Sequence, residues 1–183
     1  MIKKISLMVL LLYTVQAQAQ QLWSSQKAAV SFFSSTVMED IEAKSASGSS
    51  VLDGQTGTIV FKVANTSFQF KKKLMQEHFN ENYMESEKYP YTTFKGKLKD
   101  LPDLSKNGTY LLAFEGNLNL HGVTKVYQGN VNLVVANGVL SAKSTFKIRI
   151  ADHEIKIPTL VFKNIAEYVE VRIVAQYLPK SSI

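Results

Sequence analysis

The 183-residue sequence contains no cysteine. That excludes a disulfide framework, a thiolate zinc site, a thiol nucleophile and a lipid-modified cysteine. The fold must rest on packing and backbone ladders alone. Long apolar runs are also missing. The longest, residues 5–15, falls short of the about 20 residues that a membrane-spanning helix needs. Histidine occurs three times, and no His-Glu-x-x-His spacing is present. No Gly-x-Ser-x-Gly elbow and no glycine-rich phosphate loop occurs either. Charge of one sign is modest: the formal net charge is +6, and Lys3 and Lys4 supply two of those charges. Lys71, Lys72 and Lys73 form the one basic run. It reads as a solvated approach to a helix, and nucleic acid is not an expected partner.

What is present begins with a leader. Lys3 and Lys4 precede the short apolar run, and Ala17-Gln18-Ala19 supplies a small-x-small cleavage site. Residues 1–19 therefore read as a secretory signal peptide, with the domain occupying residues 20–183. The expected location is the periplasm or the exterior. The remaining length suits one domain with one real core.

That domain reads as mainly β. Ile59, Phe61 and Val63 share one strand face, with Lys62 on the other. Phe68 and Phe70 have the opposite parity, so Asn65-Thr66 should break the register with a bulge or kink. Tyr110, Leu112, Phe114, Leu118 and Leu120 alternate in a long strand, with Asn117 and Asn119 facing away. Val131, Leu133 and Val135, then Phe146, Ile148 and Ile150, then Val169, Val171 and Ile173 repeat the pattern. Asn137-Gly138 is the strongest hairpin signal, and His121-Gly122 turns the chain. Residues 45–50, rich in serine around Gly48, read as a loop. Eight or nine alternating strands predict an antiparallel sheet that curls and closes. An eight-stranded barrel has room for about one small ligand.

One helix interrupts this pattern. Leu74, His78, Phe79 and Tyr83 recur at helical spacing, with Met75 beside them. Pro90 should end the helix and extend Tyr89. A lone helix in a β-chain must cover the mouth or edge of the sheet. The candidate ligand-binding wall is therefore Phe61, Val63, Phe68, Phe70, Leu74, Phe79, Tyr83, Phe94, Leu112, Phe114, Phe146, Ile148, Val171 and Ile173. Parity alone does not distinguish a filled barrel from a hollow one.

Polar chemistry is sparse. His78 and Glu81 stand at i, i+3, and Asp152-His153-Glu154 is locally suggestive. Alternate residues of a strand point to opposite faces, however, so no metal site and no catalytic residue is expected. Three readings stay open: a binder of an apolar ligand, a packed domain without ligand, and an enzyme for an apolar substrate. The enzyme reading requires Asp152, His153 or His78 to face inward.

Two motifs carry a family resemblance. Residues 79–94, FNENYMESEKYPYTTF, resemble the helix-to-strand passage of the YceI-like family. Residues 118–125, LNLHGVTK, resemble its second landmark, a strand ending in Gly-Val-Thr-Lys. The resemblance implies a lipocalin-like barrel, exported to the periplasm, that binds an isoprenoid chain such as a polyprenyl phosphate or quinone. The packed alternative becomes, within the same resemblance, a periplasmic stress-associated domain. Two departures stand out. Lys71-Lys72-Lys73-Leu74 replaces an Arg-Asp pair common before the helix. Residues 147–152, KIRIAD, replace an Arg-Ser-Asp-Phe-Gly-like stretch. No cofactor beyond such a bound lipid is implied.

Overall fold

The computed structural model describes residues 21–158 and 165–180. The signal-peptide expectation falls outside the described residues. Nine strands run β1 (Leu22–Ser35), β2 (Asp40–Asp53), β3 (Thr58–Ala64), β4 (Gln69–Phe70), β5 (Tyr91–Leu98), β6 (Gly108–Leu120), β7 (Val123–Ala136), β8 (Val139–Arg149) and β9 (Tyr168–Pro179). Every pairing is antiparallel. β1 pairs with both β2 and β9, so the eight long strands close into a barrel, and two-residue β4 rests on β2. Closure leaves no free edge among those eight.

The alternation works as the side chains demand. In β7, Val131, Leu133 and Val135 are buried while Asn130, Asn132 and Val134 are exposed. Two hairpin turns are two-residue loops with both residues at positive φ: Asn137 (51°) with Gly138 (74°), and His121 (52°) with Gly122 (76°). That is the type I′ geometry, whose twist matches the flanking strands.

Three local expectations need correction or refinement. Residues 45–50 are not a loop but lie within β2. Their small side chains suit an inner face crowded by larger neighbours. A Cβ on Gly48 would lie 2.8 Å from both the Ala28 carbonyl and the Phe61 ring. Ser50 donates to the Val60 carbonyl and accepts from the Tyr177 hydroxyl, at 2.8 and 2.9 Å. Serine there is a hydrogen-bonding core residue rather than a loop former. Second, the register break expected at Asn65-Thr66 is present as a kink, a 3₁₀ turn (Asn65–Ser67), and not as a bulge. Buried Asn65 pins it by donating to the Tyr89 carbonyl (2.6 Å) and accepting from Thr92 (2.8 Å). Third, the helix stops well before Pro90. Helix α1 (Lys73–His78) continues into a π-helical turn (Phe79–Tyr83). Met84 donates to the Phe79 carbonyl at 2.8 Å and Ser86 to that of Asn80 at 2.7 Å. Glu85 then reverses the chain at φ 43°. The wide π turn exhausts the helix there.

The core occupies one half of the barrel. Trp23, Leu52, Leu104, Leu133, Leu140 and Tyr177 are all at most 3 % exposed and pack at the end where β1 begins and β9 ends. The other half is hollow.

Candidate functional site

The hollow half encloses a cavity of about 340 Å³, at the lower end of the ~300–1,000 Å³ typical of small-molecule sites. Its floor is Leu98, Val131, Ala142, Ala175 and Tyr177. Its walls come from β1, β3, β5, β6, β8 and β9, with Ile41 of β2 and Phe70 of β4. The helix covers one side of the mouth, and Ile155 and Ile157, in the segment after β8, line the other. The lining is overwhelmingly apolar.

Most of the expected wall residues meet here: Phe61, Val63, Phe68, Phe70, Phe79, Tyr83, Phe94, Phe114, Phe146, Ile148, Val171 and Ile173 all line the cavity. Leu74 and Leu112 do not. At 3.6 residues per turn, Leu74 sits about 140° around the helix from Phe79, whereas Met75 is only about 40° away. Met75 accordingly lines the cavity while Leu74 is 61 % exposed. Leu112 has the inward parity but the wrong depth, buried in the packed half across from Val131. Phe32, Met84, Ile155 and Ile157 line the cavity without having been expected. The alternation Ile155-Lys156-Ile157 was the available signal for the last two.

Phe32, Phe68, Phe70 and Phe79 form a four-ring cluster that joins the helix to β1 and β4. Its centroid distances run from 5.1 Å (Phe70 to Phe79) to 5.7 Å (Phe32 to Phe70). Each such contact adds about 0.5–1.5 kcal/mol beyond area burial. The 3₁₀ turn at Asn65 makes the cluster, because it resets parity and swings Phe68 and Phe70 inward. A second aromatic line crosses the opposite wall, Phe94 to Phe114 to Phe146 at 5.7 and 5.8 Å.

Few titratable groups reach the lining: Glu39, His78, Tyr83 and Tyr177 do. His153 is fully buried but does not line the cavity. It donates from Nδ1 to the Val123 carbonyl (3.1 Å), so Nε2 accepts from the Tyr127 hydroxyl (2.9 Å). His121 reaches the His153 carbonyl at 3.1 Å and the Glu85 carboxylate at 2.7 Å. This polar clasp ties the segment after the helix, the β6–β7 turn and the segment after β8 into one rim. Asp152 pairs with Arg149 at 3.4 Å. His78 is exposed on the helix and touches the cavity edge. The three residues needed for the enzyme reading are thus dispersed. Among the described residues, no group of three or more His, Cys, Asp or Glu side chains is placed to hold a metal ion.

Burial pushes the His153 pKa below the ordinary value of 6.5. The unfolded chain therefore binds this proton first as pH falls. His153 contributes stability that is complete above about pH 6.5 and is lost as pH drops toward the lowered value. Urea midpoints measured from pH 7.5 to 5.0 should fall more steeply for the wild type than for His153→Gln. Parallel curves would contradict the assignment.

No helix among the described residues is long and apolar enough to cross a membrane. The fold resembles that of a polyisoprenoid binding domain from Saccharophagus degradans implicated in plant cell wall breakdown. That match has a TM-score of 0.74 at 15 % identity and covers 88 % of this chain and 99 % of that one. BcnA of Burkholderia cenocepacia matches with a TM-score of 0.69 at 15 % identity, over 81 % and 95 % of the two chains. The YCEI protein of Campylobacter jejuni matches with a TM-score of 0.62 at 15 % identity, over 76 % and 85 %. Such low identities establish the fold alone. A search of curated proteins finds no match. The model of the YceI-like domain, in contrast, matches residues 13–177. With nearly the whole barrel inside that match, the chain belongs to the YceI-like domain family.

Proposed function

We propose that the protein is an exported carrier that holds an isoprenoid chain, such as that of a polyprenyl phosphate or a quinone, in the hollow half of its barrel. The observation that supports this is the apolar cavity of about 340 Å³, open at one end and floored at the other. Burying a chain there contributes about 0.8 kcal/mol per methylene, so affinity needs no specific polar contact along the tail. The Saccharophagus degradans neighbour is a polyisoprenoid binding domain, which agrees with this ligand class. Export rests on the leader pattern of residues 1–19, with the mature chain starting at Gln20.

The full chain, expressed in a Gram-negative host and purified from the periplasm, tests both parts by native mass spectrometry. The expected spectrum shows a chain beginning at Gln20 with an apolar adduct that organic extraction removes. A bare chain under gentle conditions, with no rise in melting temperature on adding geranylgeraniol, would overturn the carrier reading. It would favour the packed domain without ligand. The enzyme reading gains nothing from the geometry, because Asp152 and His153 lie in rim contacts and His78 has no acid–base partner among the described residues.

A further inference from the structure

The charges at the mouth bear on which end-group the cavity accepts. Among the described residues, no lysine or arginine lines it, and the one formally charged group that does is the carboxylate Glu39. The lysine run before the helix does not reverse this balance. Lys72 pairs with Glu39 at 2.9 Å, and Lys73 lies 4.0 Å from Glu77. The adjoining cleft adds Asp40 and Glu42 to Lys71 and Lys72, and Glu42 is paired with Lys44 at 3.0 Å. Lys71 and Lys156 are exposed and without an ion pair among the described residues, but neither lines the cavity.

The polar groups that do line it fall into two sets. Ser34, Asn65, Thr92, Ser144 and Tyr177 are committed to protein partners. The side chains of His78, Tyr83 and Thr93 have no hydrogen-bond partner among the described residues. Tyr83 and His78 both belong to the helical cover at the mouth. Burial raises the Tyr83 pKa, which keeps its hydroxyl a donor.

A phosphate seated here would be partly desolvated beside a carboxylate, with no unpaired cation among the described residues that line the cavity, an arrangement that costs free energy. A hydroxyl, carbonyl or amide needs only one or two hydrogen bonds, and Tyr83, His78 and Thr93 supply them. We propose that this cavity selects apolar chains ending in an uncharged polar group and discriminates against the same chain ending in phosphate. The inference rests on the carrier reading and narrows it.

Two probes with one tail test it: geranylgeraniol and geranylgeranyl diphosphate, each displacing N-phenyl-1-naphthylamine from the delipidated mature chain. The alcohol should displace the dye at about one tenth the concentration of the diphosphate, a gap of about 1.4 kcal/mol. Glu39→Lys should narrow the gap, and so should the milder Glu39→Gln, which frees Lys72. Tyr83→Phe, which keeps the ring and removes the hydroxyl, should weaken the alcohol several-fold more than it weakens the dye. A diphosphate that competes as well as the alcohol, with the dye and both probes binding, overturns this inference alone. Failure of the dye and both probes to bind overturns the carrier reading and this inference with it.

Discussion

Trp23→Ala should lower the unfolding free energy by about 3–5 kcal/mol, the usual cost of deleting a large aromatic side chain from a packed core. Trp23 is only 2 % exposed and packs in the filled half with Leu52, Leu133, Leu140 and Tyr177. Removing the ring leaves a void that long, paired strands on both sides cannot collapse into. One detail sets the comparison variant. The indole Nε1 of Trp23 is buried without a hydrogen-bond partner among the described residues, a donor whose desolvation goes uncompensated. Trp23→Phe deletes that donor while keeping a ring, so it should cost clearly less than the alanine change. Urea unfolding of both variants measures this. Because Trp23 does not line the cavity, chain binding well below the melting temperature should stay at the wild-type level. Equal costs for the two variants, or parallel loss of binding, would contradict the division of the barrel into two halves.

The complementary change acts on the hollow half. Ala142→Phe should abolish most chain binding, by about tenfold or more, while leaving the fold intact. Ala142 and Ala175 are cross-strand partners on the cavity floor. A phenyl group at 142 extends into empty space rather than into packed neighbours, so the usual strain of a small-to-large core change does not arise. It fills volume that the end of a bound tail would take. Native mass spectrometry for occupancy and thermal unfolding for stability read the two effects separately. A variant that keeps full occupancy would place the bound chain elsewhere. One that unfolds at a much lower temperature would show that the floor is already tightly packed.

The barrel was legible because period-2 alternation is a direct imprint of a sheet with one apolar face. Val131, Leu133 and Val135 could be placed without any tertiary information. The type I′ pair Asn137-Gly138 was equally plain, since only that chemistry tolerates two successive positive φ values cheaply. Depth was not legible. Leu112 and Phe114 share parity and character, yet one packs in the filled half and the other faces the cavity. Only strand stagger, which no local pattern encodes, separates them. The helix shows a related limit. Leu74 and Met75 are adjacent and both apolar, and only the phase of the helix relative to Phe79, about 40° for Met75 against about 140° for Leu74, decides which of them faces inward. The buried setting of His153 was not legible for a different reason. Its partners, Val123 and Tyr127, lie 30 and 26 residues away in sequence, so no spacing rule reports them.

The filled floor has a consequence for any bound chain. A tube open at both ends would let a long molecule thread through, with neither terminus privileged. In the proposed carrier the tail would stop against Ala142, Ala175 and Tyr177, and the other terminus would remain at the rim beside Glu39, His78 and Tyr83. The two termini of the cargo would thereby be made inequivalent. In the proposed carrier, loading would proceed tail first and unloading head first, so a receiving surface would meet the polar terminus before anything else. Such a vessel would also work as a gauge: chains shorter than its depth would disappear inside, and longer ones would project by the difference.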